Sequence, residues 1–217
     1  MKKNKKDIII CILLMLIFLI FTLLVKFFDV KNIGPNNSSV GFSTLNSFIS
    51  KKIGVNILFY KFTDILGFIP IIIAFIYGLK GIVQLIKRKN LFKVDFEILI
   101  LGVFYVLAII IYVFFEVVII NYRPALIDNV LEASYPSSHT ILSIFILLSS
   151  VIVNKYLIKD KIIRKKISIF LIITMILILL GRILSGVHWF TDIVGGMLIS
   201  LFLLKSFDTT LKIKNNL

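Results

Sequence analysis

The stretch Gly181–Asp192, GRILSGVHWFTD, lies between two apolar runs, Leu171–Leu180 (LIITMILILL) and Ile193–Leu204 (IVGGMLISLFLL). With their flanks these runs approach the ~20 residues that cross a bilayer. They are continuous rather than alternating, so they read as helices and not as barrel strands. Ser185-Gly186 supplies a turn between them. The stretch is therefore the bend of a helical hairpin, yet it carries an arginine, a histidine and an aspartate. Charged groups such as these at membrane depth cost about 2.5–3.5 kcal/mol each even on insertion scales, which marks them as candidates for function.

Working outward, the same kind of run recurs along the chain. The 217 residues are 59% hydrophobic with a mean hydropathy of +1.05, beyond the range of ordinary water-soluble domains. Six spans are predicted: Ile8–Val25, Ile65–Ile86, Ile98–Ile120, Thr140–Leu157, Ile167–Leu184 and Val187–Leu204. The fold class is all-α, a polytopic bundle of six transmembrane helices forming one domain over residues 1–217. The first apolar run follows a basic start like a signal peptide. It is long enough to span, and Lys26, Phe27, Phe28 and Asp29 offer no small-residue cleavage site, so it reads as an uncleaved helix. Between the first two spans, Gly34-Pro35-Asn36-Asn37-Ser38-Ser39 breaks the chain. After it Phe42, Leu45, Ile49 and Ile53 recur at helical spacing, predicting an amphipathic helix on the outer surface that anchors the protein or walls a lipid path. Cys11, the one cysteine, lies in the first span and excludes an intrachain disulfide.

The net charge of +14 raises a nucleic-acid reading, which the placement of the charges excludes. Most of the 25 lysines and arginines fall in the N-terminal tail, the Lys80–Lys93 and Lys155–Lys166 connections and the C-terminal end. These four segments share one side of a six-span protein. The bias follows the positive-inside rule and puts both termini in the cytoplasm of a multi-pass cell-membrane protein. The remaining polar residues then gather at the opposite, extracytoplasmic side.

His188 and Asp192 are four apart and share a face if both are helical. The carboxylate can then accept the imidazole Nδ1–H and leave Nε2 basic, the arrangement of a nucleophile with its orienter. His139, the other of two histidines, follows Pro136-Ser137-Ser138 at the outer mouth of the fourth span. A helix N-terminus there presents N–H groups suited to an anion. Arg123 ends the third span and Arg182 the fifth. Guanidinium forks match phosphate oxygens, and phosphoryl transfer needs charge spread over three equatorial oxygens with entering and leaving groups in line. Asp128 and Glu132 read as solvated loop charges, Lys51 and Lys52 as interfacial, and Tyr122 and Trp189 as part of an aromatic belt.

These residues resemble the type 2 phosphatidic acid phosphatase superfamily, membrane lipid phosphatases related in their pocket to vanadium haloperoxidases. The family motifs K-x6-R-P, P-S-G-H and S-R-x5-H-x3-D correspond to Glu116-x6-Arg123-Pro124, Pro136-Ser137-Ser138-His139 and Gly181-Arg182-x5-His188-x3-Asp192, a motif core of 116–192. The resemblance implies that His188 attacks phosphorus, Asp192 holds His188, and His139 protonates the leaving oxygen and then activates water. It implies further that Arg123, Arg182, Ser137 and Ser138 hold the phosphate, with no metal and no cofactor. The implied partner is a membrane lipid with a phosphate headgroup, of the phosphatidate, phosphatidylglycerophosphate or polyprenyl diphosphate type; a polyprenyl diphosphate of envelope synthesis is the first expectation and phosphatidylglycerophosphate the second, an order that no residue fixes. The rival readings are a lipid-phosphate transporter or flippase without chemistry, an inactive relative, and a phosphotransferase with an acceptor other than water. Three departures stand out: Ser138 for glycine, Gly181 for serine, and Glu116 for lysine. The last reverses a charge. Seven residues from Arg123, Glu116 is expected to position an arginine or to alter substrate choice, its charge met by pairing with Arg123 or by protonation.

Overall fold

A computed structural model describes residues 2–215, so Met1, Asn216 and Leu217 of the expected 1–217 domain lie outside the described residues. The elements are α1 (Lys2–Phe27), a two-residue strand pair Lys31–Asn32 with Ser39–Val40, α2 (Ser43–Ile53), α3 (Ile57–Arg88), α4 (Phe96–Val117), α5 (Ser138–Leu157), α6 (Lys161–Ser185) and α7 (Phe190–Asn215). Six of the seven are long and apolar enough to span, as expected, and the seventh, α2, is the short helix between the first two. Several predicted boundaries move, three of them beside the site. α3 begins at Ile57 rather than Ile65, because Asn56 caps it by accepting the N–H groups of Leu58 and Phe59. α4 stops at Val117, short of Ile120, and α7 begins at Phe190, after His188.

α5 lies at the centre. It packs on α7, α6, α3 and α4, while α1 lies along α7. One core cluster joins Leu101 and Ala108 of α4, Phe145 and Val153 of α5, and Leu203, Phe207 and Leu211 of α7. A second joins Phe18 and Val25 of α1 to Phe115, Tyr135, Ile141 and Ile199. Leucine gains little by leaving lipid for a protein interior, so such bundles depend on close packing and polar contacts between helices. Here these include Tyr77 to Asn154 (2.8 Å) and Thr22 to the Tyr135 hydroxyl (2.7 Å). The isoleucines, leucines and phenylalanines left on the outer faces of α1, α3 and α4 make the surface a bilayer would cover.

α2 is tied into the bundle by polar side chains. Its buried residues are the polar Ser43 and Asn46, while Leu45 and Phe48 point outward. The Asn46 side chain donates to the Gly41 carbonyl (2.8 Å) and the Thr191 hydroxyl (2.9 Å) and accepts from the Thr191 N–H (3.3 Å). It thereby braces the start of α7. The α6–α7 bend closes at Gly186, whose φ of +63° suits glycine, and a Cβ there would lie 1.9 Å from the Gly54 carbonyl oxygen.

Candidate active site

The chain between α4 and α5 folds back on itself. Tyr122 bridges to Ala133 and Ile127 to Val130, with the Arg123 N–H on the Glu132 carbonyl (3.0 Å) and the Ser134 N–H on that of Asn121 (2.9 Å). This hairpin sets Arg123, Glu132 and Ser134 side by side. Arg123 Nε lies 2.9 Å from Glu132 Oε2, and its Nη1 has no partner. The expected helical face shared by Glu116 and Arg123 is therefore absent. The helix ends before Arg123, and Glu132, read from sequence as a solvated charge, is the carboxylate that meets it. Glu116 instead lies beside the Tyr112 hydroxyl. Trp189, assigned from sequence to an aromatic belt, is 4% exposed and donates its indole N–H to the Tyr122 carbonyl (2.7 Å), tying the hairpin to α7.

His188 lies in the bend before α7, so the i, i+4 argument for a direct bond to Asp192 does not apply. Ser134 stands between them. Its Oγ is 3.0 Å from His188 Nδ1 and 2.5 Å from Asp192 Oδ2. The carboxylate also accepts the Trp189 N–H (2.9 Å) and the Asn121 amide (3.3 Å). Asp192 thus holds the bend and the serine, and the serine holds the imidazole. Sequence reasoning missed Ser134 because no spacing rule links position 134 to 188. His188 Nε2 is buried and has no partner. Burial foremost, then the charges of Arg123, Arg182 and His139, push the His188 pKa well below the usual imidazole range and keep the ring neutral. Ser134→Ala is expected to leave the fold intact and lower turnover by roughly 10- to 100-fold, about the 1–3 kcal/mol of an unmade buried hydrogen bond. Steady-state kinetics alongside a thermal unfolding curve in detergent would check this.

At the start of α5, Ser137 is spent on the helix. It is fully buried, its Oγ accepts the Thr140 N–H (3.4 Å) and hydroxyl (3.0 Å), and its own N–H donates to the Asp192 carbonyl (3.0 Å). Ser138 and His139 follow in the first turn, whose N–H groups have no carbonyl within the helix to bond. Both line a cavity of about 1070 Å³, with Arg123, Tyr60, Asp64 and Glu116 among their neighbours. A narrower cleft shares Arg123, Ser138 and Glu116 with it and reaches His188 and Ser134.

The unforeseen wall is α3. Tyr60, Thr63, Asp64 and Gly67 fall on one helical face. The Asp64 carboxylate pairs with Arg182 and lies 3.2 Å from His139 Nε2. The Tyr60 ring lies 5.2 Å from the Arg182 guanidinium carbon, a cation–π contact. A Cβ on Gly67 would come within 2.9 Å of the His139 ring. Arg182 itself is fully buried, with Nε and Nη1 unpartnered, as is His139 Nδ1. The bundle thus brings His139, Arg123, Arg182, His188 and Asp192 to one end, with buried donors left over on both arginines. Such donors normally find partners, so the set is suited to a phosphate-sized anion. Among the described residues no three His, Cys, Asp or Glu side chains group as a metal site would require.

Comparison with known proteins bears on the family and the fold. The sequence model described as the PAP2 superfamily matches residues 8–211. The crystal structure of the first transmembrane PAP2 type phosphatidylglycerolphosphate phosphatase from Bacillus subtilis is similar at a TM-score of 0.59 and 18% identity, over 93% of this chain and 96% of that one. At that identity the likeness concerns the fold. No curated protein matches the sequence.

Proposed function

We propose, from the premise that the chain belongs to the PAP2 superfamily, that it hydrolyses a lipid phosphate monoester through a phosphohistidine formed at His188. The observation that carries this reading is the set of buried, unpartnered nitrogens: Nε2 of His188, Nδ1 of His139, and guanidinium nitrogens of Arg123 and Arg182. His188 Nε2 would supply the electron pair for the N–P bond while the P–O bond to the lipid breaks, with a proton from His139 going to the departing oxygen. Water would then attack phosphorus, return a proton to His139 and restore the free imidazole. Arg123, Arg182 and the N–H groups of Ser138 and His139 would carry the equatorial charge. The apolar side of the cavity, formed by Phe68, Ile71, Ile109 and Leu142, suits a lipid chain approaching laterally. The positive-inside bias supports placing the site on the extracytoplasmic side.

Three carboxylates, Asp64, Glu116 and Glu132, line the same cavity. They favour phosphatidate, the least charged of the three headgroups, over a polyprenyl diphosphate, which changes the order expected from the sequence. Phosphatidate, phosphatidylglycerophosphate and a polyprenyl diphosphate would be offered to purified protein in mixed micelles with a chelator present, and phosphate release followed. Phosphatidate is expected to exceed the diphosphate by at least about tenfold in kcat/KM, the effect of ~1.4 kcal/mol of charge repulsion. Binding of these lipids without release would favour the transporter reading, and a faster diphosphate would overturn the preference.

A further inference from the structure

The two histidines are unequally supplied by the sequence motifs. His188 has Asp192 behind it through Ser134, but no carboxylate in the motif core reaches His139. The structure supplies one from α3. At 32 residues that helix is about 48 Å long, against a hydrocarbon core of about 30 Å. The helix thus exceeds the core by about 18 Å, enough for Asp64, in the second turn from its start, to lie beyond it, where a carboxylate is less costly.

We propose that Asp64 is a positioning residue for the leaving-group proton, holding His139 by Nε2 so that the ring can donate to the departing lipid oxygen. The inference rests on the phosphatase reading above. Asp64 takes one donor from each neighbour: Nη2 of Arg182 and Nε2 of His139, while Nε and Nη1 of Arg182 and Nδ1 of His139 stay unpartnered. Substrate can therefore be bound without evicting the carboxylate. Gly67, one turn further along the same face, leaves room for the ring; any larger residue would press on it. The charged surroundings make Asp64 necessary. Glu132 is taken by Arg123 and Glu116 lies with Tyr112, so neither serves His139. That leaves Asp64 as the carboxylate within reach of the ring. In the step itself the carboxylate keeps its charge. The proton passes from His139 to the alkoxide oxygen as the P–O bond breaks, and His139 regains one from the attacking water.

A group that serves the leaving oxygen matters only when that oxygen needs a proton. Wild type and Asp64→Asn would be compared on phosphatidate, whose leaving group is a poor alkoxide, and on a nitrophenyl phosphate, whose leaving group departs unprotonated. Asp64→Asn is expected to lower kcat on phosphatidate by roughly 100-fold, within the usual range for general acid catalysis, and on the aryl ester by less than about threefold, with KM little changed. In combination with His139→Ala the losses should be far less than multiplicative, because the two groups act as a unit. Asp64→Glu should recover much of the phosphatidate rate. If Asp64→Asn does not fold in detergent, Asp64→Ser gives the same comparison. Equal losses on both esters, an effect confined to KM, or multiplicative losses with His139→Ala would overturn the proposal. Wild type inactive on both esters would instead overturn the phosphatase reading.

Discussion

His188→Ala abolishes measurable phosphate release, a loss on the order of 10⁴- to 10⁶-fold in kcat, as when the nucleophile of an interdependent catalytic set is removed. The expectation follows from the Nε2 position. It is the one buried, partnerless nitrogen on a ring whose other nitrogen is already engaged by Ser134, and burial first, then the charges around it, keep its lone pair free. Because that pKa lies below the ordinary imidazole value, His188 stays in its nucleophilic, unprotonated form as pH falls through the range where a free histidine would gain a proton. Activity on an aryl phosphate, which needs no proton from His139, should therefore persist into mildly acid solution. The complementary measurement is acid-quenched labelling. Wild type exposed to labelled substrate should carry a phosphoryl group with the acid lability of phosphohistidine, and His188→Ala should carry none. Label retained in the variant would place the nucleophile elsewhere.

Arg182→Lys is expected to lower kcat by roughly 10²- to 10³-fold, the usual cost of removing one preorganised donor from a site of developing charge. Lysine keeps a cation beside Asp64 but loses the planar fork, so Nε and Nη1, the two guanidinium nitrogens left unpartnered in this structure, disappear together. Arg182 is fully buried, with the Tyr60 ring against it, so water cannot easily substitute. The lysine variant should unfold at a similar temperature to wild type. Arg182→Leu should unfold at a lower one, because it removes the cation paired with Asp64. Equal turnover of Arg182→Lys and wild type would remove Arg182 from the phosphate seat.

The spans, their number and the gathering of polar residues at one end were legible in the sequence. Continuous apolar runs and a biased distribution of lysine and arginine report directly on how a chain meets a bilayer, and neither depends on which helix touches which. Arg123, His139, Arg182, His188 and Asp192 were legible for a related reason: charged groups beside membrane spans are costly, and each stood out against its surroundings. The partners of those groups were not legible. Asp64 lay, in the linear reading, in a polar connection, because hydropathy starts the second span at Ile65 while the Asn56 cap starts the helix at Ile57. Eight residues of added helix turn Asp64 from loop to wall. Ser134 and Glu132 looked like ordinary loop residues until the hairpin folded them against His188 and Arg123. Apolar periodicity and residue cost are properties of a segment and survive without a fold. Which carboxylate meets which cation depends on distances of a few ångströms between segments far apart in the chain, and only the packing of α3, α6, α7 and the hairpin around α5 decides them.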